Sequence, residues 1–470
     1  MVPFDWIFVY NGSILTLSLI HSVTPSVNIR YANLTDVGVK RSHNQDACAS
    51  QPASDDSHWQ SQGHVFIVAD GMGGHAVGEK ASAKAVSDVP LTYLKHVRQE
   101  GVPTAIRRAF QEANASIYQI GQNNPEFKGL GTTGTALFLR PEGAWDGHVG
   151  DSRAYRIRGN RVQQLTFDHS WVWEVARRQG IDPDELGDFK RNVIIRSLGP
   201  DVEVDVDIEG PHPLEPGDSF LLCSDGLTNE VTADEIGAIV GAFSPDEACQ
   251  YLIDLANIRG GRDNVTCLIV LIPKGSSAFR NRRTTGLVRI LKRSSKRIDR
   301  FLPWPFLTLG FGAIIATGSV WLQSEGFRSV AIPAFLLAAL LILGGLVGLY
   351  LHLKRKSEQG EATTVEEPTE LHLYRDYLFE IGHPLVDRFT QLGQTLKEIC
   401  RERNDLVIDW SAFERHNREA DEKVAKADWS EAFKARFLAV QVLASAFNKN
   451  RNKDEVFQPS WTKPNKAVGE

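Results

Sequence analysis

Apolar runs in this chain keep ending on acidic residues, and that recurrence limits what it can fold into more than any single stretch does. The carboxylates lie in Asn44-Gln45-Asp46, Asp70-Gly71, Gly150-Asp151-Ser152, Ser224-Asp225-Gly226 and Asp263-Asn264. Four of these motifs follow or precede an apolar run closely enough to sit on an edge of one sheet. In Phe66-Ile67-Val68-Ala69-Asp70, four residues of a buried strand run into a carboxylate. Gly71, Gly73 and Gly74 then let the backbone turn and let a ligand approach main-chain oxygens. Several convergent carboxylates cannot be buried near one another without partners. Cations meet that requirement, and an oxygen donor set without His or Cys points to Mg²⁺ or Mn²⁺ rather than zinc.

At 470 residues, with 42% hydrophobic and 23% charged side chains, the chain has the composition of a folded protein of two or three units. Its net charge of -6 gives no global reason to expect nucleic acid as a partner. Cys48, Cys223, Cys249, Cys267 and Cys400 are odd in number, far apart and free of any C-x-x-C pair. Neither a disulfide framework nor a zinc site is suggested, and a reducing cytoplasm is the easier home. Cys223 is followed by Ser-Asp-Gly-Leu-Thr-Asn and lacks the arginine that tyrosine-phosphatase chemistry needs, so it reads as a buried strand residue. Gly129, Gly131 and Gly134 fit G-x-G-x-x-G but precede a strand instead of opening a helix, and there is no Walker lysine. Dinucleotide, kinase and ATPase readings fail on that context.

Residues 1–30 leave open a mis-called start, a disordered tail or a weak membrane-surface segment, and the absence of Lys or Arg before Arg30 argues against a signal peptide. From residue 31 the spacing predicts strands over 31–39, 64–70, 133–140, 144–149, 152–158, 202–209, 218–223 and 265–272. It predicts helices over 77–99, 103–120, 232–242 and 245–257. The 202–209 strand rests on Val202, Val204, Val206 and Ile208 alternating with acidic residues. Runs of strands broken by helix pairs favour an α+β architecture over 31–274.

A basic linker over 275–300 precedes two apolar runs, 301–323 and 330–353, that contain no Lys, Arg, Asp or Glu. Each is long enough to span a bilayer as a helix, and the short turn between them makes a hairpin. Basic residues before it, with Lys354, Arg355 and Lys356 after it, place both ends in the cytoplasm by the positive-inside rule. Beyond a linker, the stripe Leu385, Phe389, Leu392, Leu396, Ile399 and a second from Trp429 to Phe447 predict a small cytoplasmic helical region over 371–450, followed by a tail over 451–470.

Taken in order, Arg41-Ser-His-Asn-Gln-Asp46, Asp70-Gly-Met-Gly-Gly-His75, Gly131-Thr-Thr-Gly134, Val149-Gly-Asp-Ser-Arg153, Cys223-Ser-Asp-Gly-Leu227 and Gly260-Gly-Arg-Asp-Asn-Val-Thr266 resemble the motifs of the bacterial metal-dependent protein phosphatases of type 2C. The resemblance implies a β-sandwich flanked by helices and hydrolysis of phosphoserine and phosphothreonine by water activated between two Mn²⁺ or Mg²⁺ ions. It further implies that Asp70 bridges the metals, with the Gly71 carbonyl and Asp46 completing one and Asp225 and Asp263 the other. Arg41 then holds the substrate phosphate, and Asp151 holds a third, weaker cation or, read from its turn alone, caps its own backbone. Gln45 stands where many relatives have Glu, and Met72 where animal relatives have a histidine; the nearby His75 reads equally as a turn residue. Residues 168–198 resemble the family's flap, where substrate selection is expected. The whole chain then reads as an inner-membrane phosphatase facing the cytoplasm and opposing a Ser/Thr kinase. The competing reading is a catalytically weak scaffold that binds phosphoproteins at the membrane.

Overall fold

The computed structural model describes residues 29–73, 78–127, 129–186, 193–274, 304–324, 328–360 and 374–449. The N-terminal segment, His75, the basic linker and the C-terminal tail singled out above lie outside them. The described residues before 281 and after 370 form one compact unit, and those between form a second.

The first unit is built on two antiparallel sheets. One has the strand order β1 (Arg30–Asp36), β11 (Val265–Leu271), β10 (Ser219–Cys223), β7 (Arg153–Arg158), β8 (Arg161–Gln164) and β12 (Arg375–Leu378). The other runs β2 (Asp46–Gln51), β3 (His64–Met72), β5 (Gly134–Arg140), β6 (Gly143–Val149) and β9 (Asp207–His212), with the short β4 (Gly131–Thr132) also paired to β3. Side chains of successive strand residues point to opposite faces. Phe66 and Val68 of β3 meet Phe220 and Leu222 of β10 and Leu268 and Val270 of β11 between the sheets. Val65, Ile67 and Ala69 point the other way, into the layer formed by α2 (Gly78–Glu100) and α3 (Val102–Asn123). Leu221, Cys223, Cys267 and Ile269 face a second helical layer containing α6 (Ala233–Ala242) and α7 (Pro245–Ile258). The expected α+β sandwich flanked by helices is therefore present, and Cys223 is a buried strand residue.

Two expectations need correction. Residues 202–206 are not a strand; the ladder to β6 begins at Asp207. Val204 and Val206 are buried against the α2–α3 layer, while Asn114 Nδ2 donates to the carbonyls of Asp201 and Val202 at 3.0 and 3.1 Å. The alternation recorded burial without a ladder. Nor do the C-terminal helices α10 (His383–Glu402), α11 (Trp410–Ala425) and α12 (Trp429–Lys449) stand apart. Leu385, Phe389, Phe433 and Phe437 belong to the same buried cluster as Val240, Leu252 and Cys249. Ahead of them, β12 adds antiparallel to β8, pairing Arg375 with Gln164 and Leu378 with Arg161.

The second unit pairs α8 (Trp304–Ser324) with α9 (Arg328–Gly360). Ala338 and Ser319 are buried, whereas Phe311, Ile314, Trp321, Leu336, Leu340 and Leu343 are exposed. Among the described residues no helix is long and apolar enough to cross a membrane. The expectation of two spans therefore gains no support from the described helices.

Candidate active site

The strand-end carboxylates do converge at one edge of the sandwich. Asp46 heads β2 directly opposite Asp70 on β3. Ser224 Oγ and Thr266 Oγ1, from the ends of β10 and β11, each donate to Asp46 Oδ2 at 2.7 Å. Its Oδ1 is buried with no hydrogen-bond partner. Burial pushes the Asp46 pKa up to about 7; the Thr266 and Ser224 hydroxyls pull it down, and the charges of Asp225 and Asp263 push it up again.

Asp70 is fixed through its backbone. Its N–H donates to Thr133 Oγ1 at 2.8 Å, and its carbonyl accepts from Thr133 N and Thr132 Oγ1, each at 2.8 Å. Burial raises its carboxyl well above the usual range, and Asp46, Asp225, Asp151 and Asp263 all add to that shift. The Gly71 N–H donates to the Gln45 carbonyl at 3.0 Å. A Cβ at 71 would lie 2.3 Å from the Gly78 carbonyl oxygen and 2.5 Å from that of Gln45, so only glycine fits.

Asp225 opens a four-residue helix, α5 (Asp225–Thr228). Its Oδ2 accepts from Asn229 Nδ2 at 3.0 Å, and its Oδ1 is buried without a partner. Burial first, then Asp263, raises its pKa to about 6. Asp151 follows Gly150, whose φ of 115° favours glycine. Asp151 Oδ1 is likewise buried and unpartnered, and burial, Asp225 and Asp168 raise its carboxyl well above the usual range against the pull of Arg153. Asp263 Oδ2 accepts from Arg41 Nη2 at 2.8 Å, so the residue expected to hold phosphate and one expected to hold metal face each other at the rim.

Sequence reasoning missed the residues that hold these in place. Asn264 accepts from Gln45 N at 2.8 Å and donates to the Val37 and His43 carbonyls at 2.9 Å each, binding the Arg41–Asp46 loop to the end of β11. Arg153 grips Asp168 through three hydrogen bonds of 2.6 to 3.0 Å. His169 Nδ1 accepts from Gly150 N at 3.0 Å while His169 N donates to Gly150 O at 2.7 Å. Asn264 and Arg153 sit inside motifs already picked out, so adjacency to Asp263 and Asp151 was the available signal.

Among the described residues no three His, Cys, Asp or Glu side chains close on one point as a preformed cage. The carboxylates are instead neighbours that raise one another. Three buried oxygens without partners, on Asp46, Asp151 and Asp225, are hard donors that a divalent cation would satisfy. The site therefore fits Mg²⁺ or Mn²⁺.

The family model described as protein phosphatase 2C matches residues 39–252. A putative protein phosphatase 2C-type of Streptococcus pyogenes serotype M6 is 38% identical over 241 residues, which is 50% of this chain and 94% of its own. The serine/threonine phosphatase stp of Listeria welshimeri is 36% identical over 252 residues, 52% of this chain and 97% of its own. Among solved structures, the catalytic domain of the serine threonine protein phosphatase PstP in complex with 2 manganese ions aligns at 29% identity with a TM-score of 0.44, over 52% of this chain and 98% of that one.

Proposed function

Because the chain belongs to the protein phosphatase 2C family, and is thereby a metal-dependent serine/threonine protein phosphatase, we propose that its strand-end carboxylates hold the metals and that its added C-terminal half anchors it at a membrane. Asp70, the Gly71 carbonyl and Asp46 would hold one Mn²⁺ or Mg²⁺, Asp225 and Asp263 a second, and Asp151 a weaker third. When bound, the cations make water a nucleophile at neutral pH and offset the charge on the phosphoryl oxygens. The observation that carries this assignment is the set of buried, unpartnered carboxylate oxygens on Asp46, Asp151 and Asp225.

The chain's own residues supply positioning. The Ser224 and Thr266 hydroxyls hold Asp46 Oδ2 and leave Oδ1 aimed elsewhere. Arg41 is about half exposed at the rim, where its planar guanidinium can exchange the Asp263 carboxylate for a phosphate presented by a protein substrate. Phosphoserine and phosphothreonine proteins are the substrates, and the enzyme opposes a Ser/Thr kinase. Membrane anchoring rests on the two charge-free runs and their basic flanks, and the exposed Phe311, Ile314, Leu336 and Leu340 support it.

The test is hydrolysis of a phosphothreonine peptide by the full chain with Mn²⁺. Activity is expected to vanish with chelator, and Asp225→Asn is expected to lose nearly all turnover and to bind Mn²⁺ more weakly by calorimetry. A manganese-loaded wild type that leaves the peptide intact would overturn the enzymatic reading; an Asp225→Asn variant with normal rate and metal content would overturn the site.

A further inference from the structure

The segment that opens the C-terminal region reaches the side of the active site through two adjacent residues. Tyr374 Oη bonds Glu209 Oε1 of β9 at 2.5 Å, and its ring lies 5.6 Å from that of Phe167. Arg375, at the start of β12, extends to the 3₁₀ turn Pro183–Leu186 and the residues before it. Its Nη2 lies 2.5 Å from Asp182 Oδ1 and 3.5 Å from Asp184 Oδ2, and its guanidinium lies over the Trp173 ring at 4.7 Å. Only 10% of the Arg375 side chain is exposed.

Trp173 belongs to α4 (Trp171–Gln179) and carries a second arginine, Arg153, at 5.6 Å. Arg153 stands two residues after Asp151 and is clamped to Asp168, and His169 is bonded in both directions to Gly150. A short path of direct contacts thus runs from Arg375 through Trp173 and Arg153 to the Asp151 turn. A branch runs through Asp182 to the residues beyond α4. Stacking on an aromatic face together with a charge-assisted bond to a carboxylate fixes both partners in angle as well as distance. Arg375 lies outside residues 39–252, the stretch matched by the phosphatase family, so this clamp is an addition from the extra half of the chain.

The geometry points to Arg375 as a positioning residue for phosphopeptide binding: through Trp173 and Asp182 it holds α4 and the following turn against the Asp151 edge of the active site. The inference rests on the phosphatase reading above. Arg375 touches no reacting atom, so its removal should loosen the grip on a peptide more than it slows the chemical step.

The experiment compares KM and kcat on a phosphothreonine peptide, with melting temperature on the same samples, for the full chain carrying Arg375→Ala, Arg375→Lys, Asp182→Ala and the Arg375→Ala/Asp182→Ala pair. Arg375→Ala is expected to raise KM about tenfold with kcat within about twofold, and Arg375→Lys, which keeps the charge but not the planar stacking, to fall between it and wild type. Asp182→Ala is expected to raise KM about threefold, with the double variant no worse than Arg375→Ala, because the two act through one contact. Wild-type KM in Arg375→Ala, or additive effects in the pair, would overturn the proposal. So would a loss confined to kcat that follows the folded fraction. If Arg375→Ala does not fold, an unchanged KM in Asp182→Ala and Arg375→Lys overturns it alone. An inactive wild type removes the phosphatase reading and this inference together, which distinguishes the two failures.

Discussion

Phe437 marks the place where the C-terminal helices and the catalytic unit share one interior. Its ring is 1% exposed and lies 5.5 Å from Phe243 and from Tyr251 on the phosphatase side, and 5.1 Å from Phe389 on α10. Phe437→Ala deletes a ring whose neighbours come from separate elements, so the space collapses poorly and the cost is about 3–5 kcal/mol. For a unit of this size each kcal/mol lowers the melting point by roughly 2 °C, which gives an expected drop of about 6–10 °C. The measurement is calorimetry of the full chain, with phosphatase activity assayed after brief heating. One transition should carry both the catalytic unit and α10 to α12, and activity should disappear along the shifted curve. If the helices were an independent region, the substitution would lower a small transition of their own. Two transitions, with that of the phosphatase unmoved, would refute the shared core.

Glu235 is buried, bonds Arg259 at 2.6 and 2.7 Å and accepts from the Thr232 N–H at the start of α6. Burial raises its carboxyl, but the Arg259 guanidinium outweighs that and holds the pKa at about 2. A depressed carboxylate contributes stability that is complete above its unfolded value and is lost as pH falls towards its folded value. Glu235→Gln should cost about 3 kcal/mol at neutral pH, and its gap to wild type in urea titrations should narrow between pH 5 and 2; a gap independent of pH would refute the pairing. A reporter enzyme fused after Lys356 should be active only in its cytoplasmic form; activity of a periplasmic reporter there would mean a single span.

The strands that build the sandwich were legible where both faces are buried. The runs ending at Asp70, Cys223 and Leu271 are apolar throughout because one face meets the opposite sheet and the other meets helices. For the same reason sequence could not say which residue faces which layer. β8 and β12 were invisible: Arg-Val-Gln-Gln and Arg-Asp-Tyr-Leu carry no strong pattern, and β8 is made a strand by its hairpin with β7, β12 only by β8, about 200 residues away. The site was legible in its anionic residues, since carboxylates at strand ends announce themselves. The residues that orient them did not: Asn264, Ser224 and Thr266 act through hydrogen bonds to segments far away in the chain, a relation no local spacing records. The amphipathic stripes of α10 and α12 were equally plain, yet a stripe does not say what it will cover.

The interior shared by α7 and α12 also has a timetable. About 190 residues separate the end of one from the end of the other, which is roughly 10–40 s of synthesis. Throughout that interval the newly made catalytic half carries Val240, Phe243 and Tyr251 on a face whose cover has not yet left the ribosome. The nascent enzyme can form its carboxylate edge early, but its outer helical layer stays open to chaperones and proteases until translation is nearly finished. A message truncated after the catalytic motifs would therefore yield a chain handled by the cell as unfinished, even with every one of its strand-end aspartates in place.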